Sequence, residues 1–340
     1  MSIRLTRRSL AAASALLALA GTLGASDALA QAKKDSLVLA MALEPPGLDP
    51  TAGAASAIGE VTLYNIYETL TKIQTDGSTR PLLAESWTVS PDLKTWTFNL
   101  RADARFHNGE PFDAQAVKFS FERAGAKDST NKDKATFANI ERIDTPDAHT
   151  VVLHLKDGDP DLLFELGQAT AIIVEPKSAG SNGTKPVGTG PFKLDAWSKG
   201  SSVTLARWDD WRQAKNVKLR RVVMRFISDE AAQVAALLSG DVDVFPRVAA
   251  AKSIKQFRDN KKFQVLIGGS RAKTILAMNN KRKPLDDVRV RSAIASAIDR
   301  KAVIEAAADG FGAPIGSFYV PGAPGYVDLT SINDYDPARA

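Results

Sequence analysis

The sequence predicts a mixed α/β (α+β) protein. Strand-like and helix-like segments alternate without a strict βαβ rhythm. Two runs of alternating apolar and polar residues are each broken by a Pro-Asp turn, as hairpins are. The 340 residues are 44% hydrophobic and 24% charged, ordinary values for a globular chain, and that length favours two domains over one large one. The formal charge of +5 is slight and scattered. The densest basic run, "NNKRKPL" (279–285), has no interleaved aromatic residue and gives nucleic-acid binding little support. With no cysteine, the chain has no disulfide, thiolate nucleophile, Cys-based zinc site or lipid-modified cysteine. Its core has to hold it together.

The first 30 residues read as a secretory signal peptide. Arg4, Arg7 and Arg8 precede the apolar run "LAAASALLALA" (10–20), and Ala28-Leu29-Ala30 is a small-x-small cleavage signature before Gln31. The apolar run is too short to span a bilayer. The paired Arg7-Arg8 also permits twin-arginine export. The expected product is exported, into the periplasm for a bacterial chain.

"SLVLAMA" (36–42) reads as a buried strand, closed by Pro45-Pro46-Gly47. A small-residue loop (44–57) leads into "IGEVTLYNIYETL" (58–70), where Val61, Tyr64 and Tyr67 or Glu68 fall at helical spacing. "DGST" makes a tight turn. Residues 85–101 predict a hairpin turning at Ser90-Pro91-Asp92, with Trp96, Phe98 and Leu100 on its buried face. Residues 140–156 predict a second, turning at Thr145-Pro146-Asp147. Between them Asp113 is placed to cap the helix "AQAVKFSFERA", because a short carboxylate accepts from the first-turn amides. "RVVMRFI" (221–227), a helix from Asp229 to Leu238, and "DVDVF" (241–245) follow.

Chemistry-bearing motifs are sparse. His107, Glu110 and Asp113 stand three apart in "RFHNGEPFDA" (105–114), a spacing that raises a metal or acid–base site. Each residue also has a local task. Asn108-Gly109 is a turn dipeptide, Pro111 keeps Glu110 extended, and Asp113 caps. The joint reading is favoured, since a zinc site needs a further, distant ligand. His149 falls in the second hairpin's turn and His154 on its outer face. "PVGTGPF" (186–192) lacks the third glycine and following helix of a dinucleotide fingerprint. Asp209-Asp210 and Asp286-Asp287 read as caps or solvated charges. No nucleophile motif is present, so catalysis has no positive support. Trp96 reads as core packing.

From residue 36 on, ordered blocks resemble the extracytoplasmic solute-binding proteins of ABC importers, family 5, the dipeptide, oligopeptide and nickel type. They are "EPPGLDPT", 66–123, "KPVGTGPFKLDAW" (185–197), 220–245 and 276–315. Within them Ala84, Asp92, Trp96, Phe98, Leu100, Arg101 and Asp103 are similar to the family's signature. The resemblance implies a two-lobed, periplasmic-binding-protein-like fold of type II that closes on a ligand by hinge motion and docks on a permease. Lobe I is then 31–265, with an inserted subdomain at about 52–180, and 266–340 begins lobe II. Relatives are longer, so the second lobe is expected to be incomplete, with "YDPARA" (335–340) starting a helix.

The same resemblance places ligand-facing backbone at Gly53, Ala54, Ala55 and Ser56, with Lys134 and Phe137, and Gln168, Ala169 and Thr170, on neighbouring walls. A plain surface loop is the alternative for each. The implied partners are a peptide or similar small solute and an inner-membrane ABC permease, with the protein a monomer. No cofactor, metal site or catalytic residue is assigned; the three histidines form no evident nickel site, which disfavours nickel as the ligand, and a nickel chelate stays among the candidate solutes beside peptides. Rival readings are an exported hydrolase on a similar scaffold and a binding module that signals to a chemoreceptor.

Overall fold

A computed structural model describes residues 34–247, 251–270, 272–323, 325–332 and 334–340. The signal-peptide reading of residues 1–30 lies outside the described residues. The strands are β1 (Ser36–Met41), β2 (Thr71–Ile73), β3 (Thr79–Pro81), β4 (Ala84–Val89) and β5 (Thr95–Leu100), then β6 (Ile140–Asp147), β7 (Thr150–Leu155), β8 (Phe192–Ser198), β9 (Ser202–Arg207) and β10 (Arg221–Phe226). The helices are α1 (Ser56–Thr62), α2 (Ala114–Gly125), α3 (Lys134–Ala138) and α4 (Leu162–Glu165), then α5 (Glu230–Ser239), α6 (Ile254–Arg258), α7 (Val288–Ala297) and α8 (Arg300–Ala308).

Two four-stranded sheets organise the chain. In one, the order is β1-β10-β9-β8, with β1 parallel to β10 and the other pairs antiparallel. In the other the order is β4-β5-β7-β6, antiparallel throughout. The second sheet lies in sequence between β1 and β8, so the first is assembled from the chain on both sides of it. Each sheet has its own core. Trp96, Phe98, Leu100, Val151 and Leu153 pack with Phe106, Phe112 and Phe121. Leu48, Tyr67, Val203, Leu205 and Met224 form the other. The alternating residues of β5 and β7 supply the first core because successive strand side chains point to opposite faces.

The first hairpin has the expected turn, with Ser90 N–H donating to Thr95 O at 2.9 Å and Ser90 Oγ bonded to Asp92 Oδ1 at 2.5 Å. Asp113 caps α2, its Oδ1 accepting from Ala116 N–H at 2.9 Å. Asp229, Asp287 and Asp299 cap α5, α7 and α8 in the same way. "DVDVF" lies along β1, where Ala40 N–H donates to Val244 O at 2.9 Å.

Three local expectations are corrected. The second hairpin turns at Ala148-His149 rather than at Pro146. β6 is an edge strand, where a proline without N–H is tolerated, and a register shift between Asp144 and Asp147 absorbs it. The helix expected over 58–70 ends at Thr62. Asn65 Nδ2 donates back to Val61 O at 3.1 Å and Tyr64 enters the left-handed region at φ 59°, so the chain turns instead of winding on. β1 is half-buried, with Ala40 and Met41 its buried residues. It lies at the edge of its sheet, flanked only by the short "DVDVF" run.

Beyond Phe257, Ser296 is the one buried residue among those described. Leu266, Ile267, Ile275, Leu276, Val288, Phe318 and Ile332 are all exposed.

Candidate ligand-binding site

The proline-rich turn after β1 brings the chain to Asp49, whose carboxylate is almost wholly buried. Asp49 Oδ1 accepts from Thr51 N–H at 3.0 Å, and Oδ2 accepts from Arg123 Nη2, on the last turn of α2, at 2.5 Å. This pair roots the loop that carries Gly53, Ala54, Ala55 and Ser56 into α1. Gly53 is half-buried with Ile58 Cδ1 against it, and Ala54, Ala55 and Ser56 are exposed. Ala55 is the extended N-cap of α1 (φ −67°, ψ 127°).

Two further segments close on this loop. Thr130 Oγ1 donates to Ala52 O at 3.2 Å. Asn131 Nδ2 donates to Thr170 O at 2.9 Å, and Thr170 Oγ1 donates to Asp133 Oδ2 at 2.7 Å. A Cβ on Gly59 of α1 would stand 3.1 Å from Ala169 Cβ, so the helix and the 168–170 segment are in close contact. The three stretches singled out in the sequence, up to 117 residues apart, therefore form one surface.

Their side chains take different places on it. Lys134 is half-buried, with its ammonium on Lys127 O at 2.5 Å. The Phe137 ring packs into the core, 4% exposed and 5.4 Å from the Phe121 ring, so it supports α3 from beneath. Thr170 is buried and committed to Asp133. Gln168 and Ala169 are half-buried, and among the described residues the Gln168 carboxamide takes no hydrogen-bond partner. The surface can offer the exposed residues 54–56, one ammonium and one carboxamide, which suits a polar solute held by hydrogen bonds.

His107, Glu110 and Asp113 diverge to separate partners. His107 Nε2 donates to Gly190 O at 2.9 Å and Nδ1 accepts from Gly188 N–H at 3.3 Å, with the ring edge-on to Trp208 at 5.0 Å. Burial holds its pKa down at about 4, so the ring is neutral near neutral pH. Glu110 pairs with Lys177 at 2.9 Å, and this contact raises the lysine's pKa. His154, expected to face solvent, is half-buried against Asp144 at 2.9 Å and Arg142 at 3.0 Å. Among the described residues no group of three or more His, Asp or Glu is arranged to hold a metal ion.

Sequence reasoning passed over several residues that build this region. Asp49 and Arg123 are one such pair. Glu68 and Arg212 are another, buried and bidentate at 2.5 and 2.7 Å. Tyr67 is fully buried, its phenol pKa pushed well up by burial and by Asp49. These contacts span 74 and 144 residues, and nothing local marks them.

The fold defines the class. The chain superposes on PBP AgaA in complex with agropinic acid from A. tumefacien R10 with a TM-score of 0.78 and 32% identity, covering 89% of this chain and 62% of that one. It also superposes on the ABC transporter-associated periplasmic binding protein DppA of Helicobacter pylori, in complex with the peptide STSA. There the TM-score is 0.76 at 26% identity, covering 89% and 64%. This is the mixed α/β architecture of periplasmic binding proteins. The chain belongs to the bacterial extracellular solute-binding proteins, family 5, whose middle-region model matches residues 78–340. Among curated relatives, the glutathione-binding protein GsiB of Salmonella paratyphi A is 30% identical over 333 residues. That match covers 96% of this chain, which spans 63% of the relative's length.

Proposed function

We propose that this chain is the substrate-binding component of an ABC importer for peptides or similar small polar solutes. It acts by reversible binding and hinge closure, without catalysis. The observation that supports the reading is the contact of Ala52 and Gly59, which flank 53–56, with Thr130 and with 169–170, in a chain of this family. In this reading main-chain groups of the exposed residues 54–56 grip a solute with little regard to its side chains. A ligand that touches both lobes shifts the balance between open and closed forms by its differential affinity for them.

In this reading residues 31–265 form lobe I, with a subdomain inserted at about 52–180, and 266–340 begin lobe II. The position of the β4–β7 sheet between β1 and β8 supports the insertion. Residues 1–30 direct export to the periplasm, by the general or the twin-arginine route. The partner is an inner-membrane permease, and the protein works as a monomer. Relatives and structural neighbours bind glutathione, the peptide STSA and agropinic acid, which defines the first panel of ligands to try.

The test is a titration of the natural gene product with glutathione, the tetrapeptide Ser-Thr-Ser-Ala, agropinic acid and nickel–histidine, read by tryptophan fluorescence and calorimetry. Saturable binding of one of them with no turnover is the expected result. Silence across the panel, or chemical conversion of a ligand, overturns the reading.

A further inference from the structure

Tyr64 stands at the end of α1 in a conformation that side chains rarely adopt. Its φ of 59° lies in the left-handed region, where a bulky aromatic residue is strained. Such strain persists only where surrounding contacts over-determine the position. Here they do. Tyr64 N–H donates to Tyr67 O at 2.8 Å, closing the tight turn after Thr62. The phenol OH donates to Gly167 O at 2.7 Å and accepts from Ile73 N–H at 3.0 Å. Burial raises the phenol's pKa, so it stays protonated and able to donate.

The contact reaches the candidate site through the chain on either side of it. Gly167 immediately precedes Gln168, and it cannot shift sideways: a Cβ there would lie 2.8 Å from Ile73 Cγ1 and 3.2 Å from Thr71 Oγ1. Two residues on, Ala169 rests on Gly59 of α1, and Thr170 is held by Asn131 and Asp133. The 167–170 wall is thus fixed at Gly167, Ala169 and Thr170. The fixture at Gly167 is made by Tyr64, two residues past the end of α1, the helix that begins at Ser56 directly after Ala54 and Ala55.

We propose that Tyr64 is a positioning residue of the binding site: its hydroxyl, aimed by a strained backbone, sets the 168–170 wall against the 53–56 loop. The inference rests on the binding reading given above. It assigns Tyr64 no contact with the solute.

The experiment compares Tyr64→Phe with Ser120→Ala in the full chain. Ser120 Oγ is another buried hydroxyl, donating to Ala116 O at 2.7 Å and accepting from Val174 N–H at 3.0 Å but bonded to none of residues 167–170, so its loss controls for simple destabilisation. Glutathione and Ser-Thr-Ser-Ala are titrated, melting temperatures are measured, and deuterium uptake is followed over 52–59 and 167–171. Tyr64→Phe is expected to weaken binding by about tenfold, the scale of one or two lost neutral hydrogen bonds. The weakening should come with faster exchange in both segments. Ser120→Ala should lower the melting temperature with affinity and local exchange unchanged. Equal loss of affinity in both variants, or wild-type affinity and exchange in Tyr64→Phe, overturns the proposal. Should wild type bind neither probe, whichever of agropinic acid and nickel–histidine it does bind takes their place, and if it binds none of the four the binding reading fails. Unchanged exchange at 167–171 in Tyr64→Phe then overturns the tether by itself.

Discussion

His107 shows what one half-buried side chain can do to stability. Its ring is neutral and bonded at both nitrogens, donating to Gly190 O and accepting from Gly188 N–H. Protonation removes the acceptor and places a charge in a desolvated position beside Lys193. The folded-state pKa of about 4 lies below the ordinary 6.5, so between those values the unfolded chain binds more protons than the folded one. Stability is therefore complete above about pH 6.5 and declines as the pH falls toward 4, by up to about 3 kcal/mol. Urea midpoints measured from pH 7.5 to 4 should show this decline, and His107→Gln should flatten that part of the profile. An unchanged slope in the variant would assign the acid sensitivity to other groups. Glu68 and Arg212 make a second residue-scale case. Both side chains are nearly inaccessible, 2% and 6% exposed. Glu68→Ala leaves a guanidinium buried without its counter-charge, a loss of about 3–5 kcal/mol in chemical denaturation. Arg289→Ala, which breaks a surface pair with the partly exposed Asp287, should leave the midpoint nearly where it is.

At the scale of elements, glycine roles separate by what stands around each one. "PVGTGPF" carries GxG where two backbones pass closely. A Cβ on Gly188 would lie 2.1 Å from Ile66 O, and one on Gly190 would lie 2.4 Å from Asn65 O. Gly180 faces open space and has ordinary backbone angles. Gly188→Ala is thus expected to abolish soluble folding or lower the melting temperature sharply, while Gly180→Ala stays within a degree or two, as surface substitutions do. Similar melting curves for the two would contradict the packing described here. The same contrast explains what was legible beforehand. Asp113 was readable as a cap, and β5 as a half-buried strand, because cap chemistry and period-two alternation are local. The end of α1 was not readable, because Asn65 and Tyr64 overrule an apolar spacing that still looks helical. The candidate surface was legible as three separate stretches, through family resemblance. What joins them, Asp49 to Arg123 and Tyr64 to Gly167, lies 74 and 103 residues apart in sequence and leaves no periodic trace.

Across the whole molecule, buried apolar surface is unevenly shared. Residues 34–257 hold two large clusters and a small third one, in which fully buried Phe98, Phe106, Phe121, Leu48, Tyr67 and Leu205 take part. The described residues of 258–340 contribute none of these clusters' members, and Leu266, at 84% exposed, and Phe318, at 73%, stand in solvent. Full burial of a single Leu or Phe side chain stabilises by about 1.5–3 kcal/mol, so a segment that forgoes this at many positions has little to set against the entropy of ordering its chain. Helices α7 and α8 are only 10 and 9 residues long, below the length at which helix propensity alone suffices. Opening of this part should therefore cost far less free energy than opening either sheet. Limited proteolysis of the full chain, followed by mass spectrometry, is predicted to cut first between 264 and 335 and to leave the two-sheet part intact. Hydrogen exchange should agree, with amides of α7 and α8 exchanging well before those of β5 and β7. Early cuts within the β6–β7 hairpin, at the rate of those after 264, would mean that packing extends over the later residues in solution. A bound solute is then a separate variable: if it bridges both parts it should slow cleavage after 264 in proportion to its occupancy, through the stabilisation that binding confers on the bound form.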